Sequence, residues 1–78
     1  MIINIEQLVI QILNELFPLE SDELSSQTKF LNIAGFDSLG FLNFFLRIKE
    51  KTQLDVDITE MSEISNIGEL CNYLKNLQ

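Results

Sequence analysis

The stretch Asp37-Ser38-Leu39-Gly40-Phe41-Leu42-Asn43-Phe44-Phe45-Leu46-Arg47-Ile48-Lys49-Glu50-Lys51 opens on a helix cap and then carries two apolar faces instead of one. Either Asp37 or Ser38 can accept a backbone N–H at the start. Lys49 and Lys51 fall in the last turn, where cations favour the negative end of the helix dipole. At roughly 100° per residue, Phe41, Phe44 and Ile48 lie on one side with Phe45 at its edge. Leu39, Leu42 and Leu46 lie on another, and Asn43, Arg47 and Glu50 share the polar sector. A bundle needs one apolar stripe from each helix. The leucine stripe is therefore either packed against a further element, as in a thin bundle whose central helix is buried on two sides, or left for a partner.

Upstream, Ile5, Leu8, Val9, Ile12, Leu13, Leu16 and Phe17 recur at helical spacing, with Glu6, Gln7, Gln11, Asn14 and Glu15 opposite. This predicts a helix from about residue 3 to 17, ended by Pro18, which has no N–H to continue it. Residues 18–37 hold no sustained period and are rich in turn formers: Pro18, Ser21, Asp22, Ser25, Ser26, Asn32 and Gly35. A loop of that length in a small domain is often functional, and Leu24, Phe30, Ile33 and Phe36 are expected to pin it to the core. Downstream, residues 52–58 read as a connection and Thr59 to Glu63 as one short turn of helix. Ser65 or Asn66 caps a last helix whose inner face is Ile67, Leu70, Cys71, Leu74 and Leu77. The fold class predicted is all-α: a small antiparallel bundle of three main helices plus one short helix, in a single domain over residues 1–78.

Composition narrows the chemistry. The 78 residues hold 12 Asp plus Glu against 5 Lys plus Arg, a net charge of −7 that argues against nucleic-acid binding. The absence of histidine removes Ser-His-Asp and Cys-His catalysis and histidine-ligated zinc. A lone cysteine forms neither an internal disulfide nor a cysteine zinc site, and the spacing of Cys71 marks it as a small core hydrophobe. Asp55, Asp57, Glu60 and Glu63 lack the glycine and ligand positions of an EF-hand, so they read as a solvated acidic face. No apolar run approaches the roughly 20 residues of a membrane span, and Met1–Glu6 lacks a signal peptide's positive start. These features lead to the expectation of a non-enzymatic, cytoplasmic, monomeric protein that works through partners.

Phe30-Leu31-Asn32-Ile33-Ala34-Gly35-Phe36-Asp37-Ser38-Leu39 resembles the segment around the modification site of acyl and peptidyl carrier proteins. Asp-Ser-Leu alone is a weak motif. Its context strengthens it: the middle of a short acidic chain, after a long loop, at the start of the second helix. Leu54-Asp55-Val56-Asp57-Ile58 and Ile64-Ser65-Asn66-Ile67 also resemble that family's third helix and its entry to the fourth, so the likeness runs over essentially the whole chain.

The resemblance implies that Ser38 bears 4′-phosphopantetheine, donated from coenzyme A by a phosphopantetheinyl transferase, and that Asp37 takes part in transferase recognition. A phosphate just before a helix meets free N–H groups and the positive end of the dipole. The resemblance further implies cargo held as a thioester on the arm. The partners would be an acyl- or aminoacyl-loading enzyme and a downstream synthase or transferase, docking at Leu39, Leu42, Leu46 and Ile58. Two features depart from a fatty-acid carrier: a second helix bearing Arg47, Lys49 and Lys51 against Glu50, and a Gly40 similar to that of free-standing aminoacyl carriers. With the bulk of Phe41, Phe44 and Phe45, these favour a small acyl or aminoacyl cargo in a specialised polyketide, nonribosomal-peptide or aminoacyl-transfer pathway. The alternatives are a fatty-acid-synthesis carrier and an unmodified adaptor in which Ser38 is merely a cap.

Overall fold

Four helices and one short 3₁₀ turn make up the computed structural model, which describes residues 4–17 and 24–78. Helix α1 spans Ile5–Leu16, capped by the side chain of Asn4, which accepts the N–H of Gln7 at 3.1 Å. Helix α2 spans Ser38–Thr52, α3 Ile58–Ser62 and α4 Ile67–Leu77. Each of these three is capped by the side chain of the preceding residue: Asp37, Asp57 and Asn66. Such caps hold donors that the first helical turn cannot satisfy internally. The all-α bundle of three main helices and one short one is therefore observed. The part of the expected first helix at residue 3, and the turn formers Pro18, Ser21 and Asp22, lie outside the described residues.

Helix α1 packs against both α2 and α4. Its buried stripe of Ile5, Val9, Ile12 and Leu13 meets Phe44, Phe45 and Ile48 of α2 and Ile67, Leu70, Cys71 and Leu74 of α4 in one core. Phe17, just past α1, reaches the first turn of α2 at Gly40, so the two helices run antiparallel. An Arg47–Glu15 ion pair at 3.0 Å links them at the surface.

The loop before α2 is tied down at both ends of its described part. Phe30 donates its N–H to the carbonyl of Ser65, while the N–H groups of Ile67 and Gly68 bond back to Thr28 and Ser26, at 2.8–3.0 Å. Phe30 and Ile33 are buried, with Leu24 and Phe36 packed partly against the core, as the pattern predicted. The 3₁₀ turn Phe30–Asn32 was not foreseen; a single turn of three residues has no period to read. Gln53 ends α2 in a left-handed conformation, φ 56°. The N–H of Asp57 then donates to the Tyr73 hydroxyl at 3.0 Å, holding the connection on α4.

Three expectations need correction. Ile58 is not in the connection but is the first residue of α3, because Asp57 caps the helix one residue earlier than periodicity suggested. Leu77 is exposed, since α4 outruns the partners that cover its inner face. Phe41 is half-buried at the edge of the core, where it packs on Phe36 and Phe45.

Gly40 is the tightest point. A Cβ there would stand 2.4 Å from the carbonyl oxygen of Gly35 and 2.9 Å from the Phe17 ring. Helix propensity alone makes Gly40→Ala stabilising by up to about 1 kcal/mol. This contact reverses the sign: Gly40→Ala is expected to destabilise by about 1–3 kcal/mol, measured by urea unfolding. Cys71 gives a second test. Burial, reinforced by the charge of Glu6 and opposed by Lys75, pushes its thiol pKa up. A raised folded-state pKa contributes stability below the unfolded value that is lost as pH climbs through it. Native Cys71, buried and held protonated, is therefore expected to react with iodoacetamide more slowly than the unfolded chain. Cys71→Ala is expected to flatten the alkaline part of the stability curve.

Candidate functional site

Ser38 is the first residue of α2 and is exposed. The turn that delivers it needs Gly35, whose φ of 86° is costly for any residue with a Cβ. The N–H groups of Phe36 and Asp37 then bond to Ile33 and Gly35, at 3.1 and 2.9 Å. Asp37 does the capping: its Oδ1 accepts the N–H of Gly40 at 2.8 Å and its carbonyl accepts that of Phe41 at 2.7 Å. Ser38 is therefore spared that duty, which settles which of the two candidate caps is used. Its own N–H and that of Leu39 have no partner among the described residues.

A cleft of about 490 Å³ opens beside Ser38, between the 3₁₀ turn, the start of α2 and the α3 end. Buried Phe30, Phe44 and Met61 form its floor and half-buried Phe36 and Phe41 its walls, while Ser62, Glu63 and Ser65 rim it on the α3 side. Phe30 stacks on Phe36 at 5.1 Å between centroids, and Phe36 meets Phe44 edge-on at 5.7 Å. Such pairs hold the rings in place beyond their simple burial.

The leucine stripe stays open. Leu39, Leu42 and Leu46 are 67, 40 and 53% exposed, and Ile58 is 44% exposed. The reading in which α2 is buried on two sides is therefore overturned: its second face has no covering element among the described residues. Sequence reasoning missed Leu31, which at 89% is the most exposed large apolar side chain described and lies on the cleft rim. Its signal was present but ambiguous. Leu31 sits between Phe30 and Asn32 in a loop without periodicity, where one leucine cannot be assigned to core or surface.

The site suits a phosphate-linked arm. An exposed hydroxyl at a helix N-terminus, next to two unpartnered N–H groups and the positive end of the dipole, is where a phosphodiester is accommodated. The cleft gives an attached chain an apolar surface to lie on. The chain has no histidine, the Asp37 carboxylate is engaged in capping, and no group of three or more metal-ligating side chains exists among the described residues. No described helix is long and apolar enough to cross a membrane.

Comparison with known proteins agrees with this arrangement. Residues 7–74 match the family described as phosphopantetheine attachment site. Two curated acyl carrier proteins from strains of Rickettsia bellii, RML369-C and OSU 85-389, are 29 and 31% identical over 72 residues. Those alignments cover 92% of this chain and 84 and 89% of the relatives. An acyl carrier protein of Lactobacillus acidophilus is 24% identical over 62 residues, covering 80% of this chain and 78% of the relative. No solved structure gives a significant match. The chain thus belongs to the phosphopantetheine attachment-site family and is a carrier protein whose working group is a covalently attached 4′-phosphopantetheine.

Proposed function

We propose that Ser38 is the attachment residue and that the protein presents a small acyl or aminoacyl group to enzymes of a specialised biosynthetic pathway. The observation that carries this reading is the division of labour at the start of α2: Asp37 caps the helix and leaves the Ser38 hydroxyl exposed. In the modification step, Ser38 Oγ bonds to the phosphorus of the phosphopantetheine moiety of coenzyme A. The phosphoanhydride bond to the adenosine bisphosphate half breaks, and the serine proton passes to a base on the transferase. This chain supplies the nucleophile and its placement, and the transferase supplies the activation. When attached, the arm supplies a terminal thiol that carries the cargo as a thioester. Tethering raises the cargo's local concentration to the mM range expected for short flexible linkers, so no catalytic residue is required on the carrier.

The small-cargo reading is supported by the filled interior. Phe30, Phe36, Phe41 and Phe44 line the cleft, and the fully buried Phe44 fills space with a ring where a long chain would have to run. The acyl carrier protein names of the relatives favour a second reading, acyl transport for fatty-acid synthesis. The two readings part on long-chain cargo. A deep-binding fatty-acid carrier melts higher with a long chain than with a short one, whereas this protein is expected to gain no more from the long chain.

Enzymes of the pathway are proposed to dock on Leu39, Leu42 and Leu46 together with Ile58. Arg47 is occupied by Glu15, and Lys49 lies 5.6 Å from the Phe45 ring centroid. Free acidity is concentrated instead at Asp55, Glu60 and Glu63 around α3, and electrostatic steering of a basic partner is assigned to that side.

Incubation with coenzyme A and a promiscuous phosphopantetheinyl transferase is expected to add one phosphopantetheinyl group by intact mass, and Ser38→Ala to add none. An unmodified wild-type chain would overturn the proposal. Asp37→Ala is expected to lower stability by about 0.5–2 kcal/mol through loss of the cap. Leu42→Asp is expected to leave stability within about 0.5 kcal/mol while slowing transfer to the cognate enzyme by about tenfold, the scale of one interface hot spot.

A further inference from the structure

We propose that the cleft beside Ser38 selects cargo by charge, with the Glu63 carboxylate favouring an aminoacyl group and disfavouring an acyl group that carries its own carboxylate. This inference rests on Ser38 bearing the arm. The cleft begins at Asp37 and Ser38, so a group tethered at Ser38 is held at its edge throughout. Among the described residues its charged lining is Asp37 and Glu63, both acids, with no lysine or arginine. The two carboxylates are not equivalent. Asp37 is engaged by the N–H of Gly40. Glu63 follows the last residue of α3 and binds through its backbone N–H to Glu60 and Met61, while its carboxylate makes no hydrogen bond or ion pair among the described residues.

The rest of the cleft completes the preference. Phe30, Phe36, Phe41 and Phe44 offer ring surface, which accepts an apolar side chain and attracts a cation through the ring quadrupole. An α-ammonium group on cargo lying over these rings meets a carboxylate at the rim. A carboxylate on the cargo would be drawn from water onto an apolar floor with two like charges and no donor side chain of opposite sign. The surrounding net charge of −7 acts in the same direction. Because Glu63 is exposed, the selection is modest, a two- to fivefold difference in cleft occupancy being about the scale of an exposed ion pair.

The test loads the arm on Ser38 with leucyl, isocaproyl or isobutylmalonyl groups, joined by an amide in place of the labile thioester. The three share one isobutyl side chain and carry a positive charge, none and a negative charge. Cleft occupancy is read from the backbone amide shifts of Phe41, Glu63 and Ile64, with melting temperature as the second readout. The expected order is leucyl above isocaproyl above isobutylmalonyl. Glu63→Gln, or raised salt, should close most of the gap between the charged cargoes and leave isocaproyl unchanged. A charge order that persists undiminished in Glu63→Gln overturns the proposal, as does any set of three cargoes that leaves the cleft amides unmoved. Failure of the arm to attach to Ser38 appears earlier, in the intact mass, and overturns the attachment reading and this one with it.

Discussion

A missing Cβ at Gly40 is the constraint on which the site depends. The Gly35 carbonyl lies where that atom would be, and the Phe17 ring closes the other side. Three segments that are distant along the chain therefore converge on one backbone position: the end of α1, the turn before α2 and the first turn of α2 itself. The turn takes a positive φ at Gly35, and Asp37 reaches over to the N–H of Gly40. Ser38 is held between these contacts with its hydroxyl outward. A glycine that weakens a helix in isolation is the residue that allows this helix to start where it does.

The same packing explains how a small chain exposes apolar surface without losing its core. Helix α2 commits Phe44, Phe45 and Ile48 to α1 and α4, and that single stripe is enough to bury a thin bundle. Leu39, Leu42 and Leu46 are then left exposed among the described residues. Charge is divided in a similar way. The bases of α2 are partly absorbed within the molecule, Arg47 by Glu15 and Lys49 against Phe45, whereas the acids around α3 are left facing solvent.

Much of the site was legible because its elements follow local rules. Helical spacing placed the core stripe of α1 and both faces of α2, and short polar residues marked the caps. Asp37-Ser38-Leu39 after a long loop marked Ser38 as the proposed attachment residue through its resemblance to carrier proteins. Phe41 aside, whose half-burial rests on its packing against Phe36 and Phe45, what was misread or unread shares one cause. Ile58, Leu77 and Leu31 each sit at the end of an element or in a single turn, where too few residues exist for a period to show. Their exposure depends on what packs next to them.

The sequence by itself determined the four helices, the inward side of each main helix, and the absence of any histidine or disulfide chemistry, because periodicity, capping and composition act over a few neighbouring residues. Only the tertiary structure decided that the leucine stripe stays uncovered among the described residues and that Asp37, not Ser38, performs the capping. It alone showed that four phenylalanines and Glu63 enclose a cleft beside the serine. Those facts are distances between segments far apart in the chain. Such distances are set when the segments compete for the same space, as Gly35, Phe17 and Gly40 do.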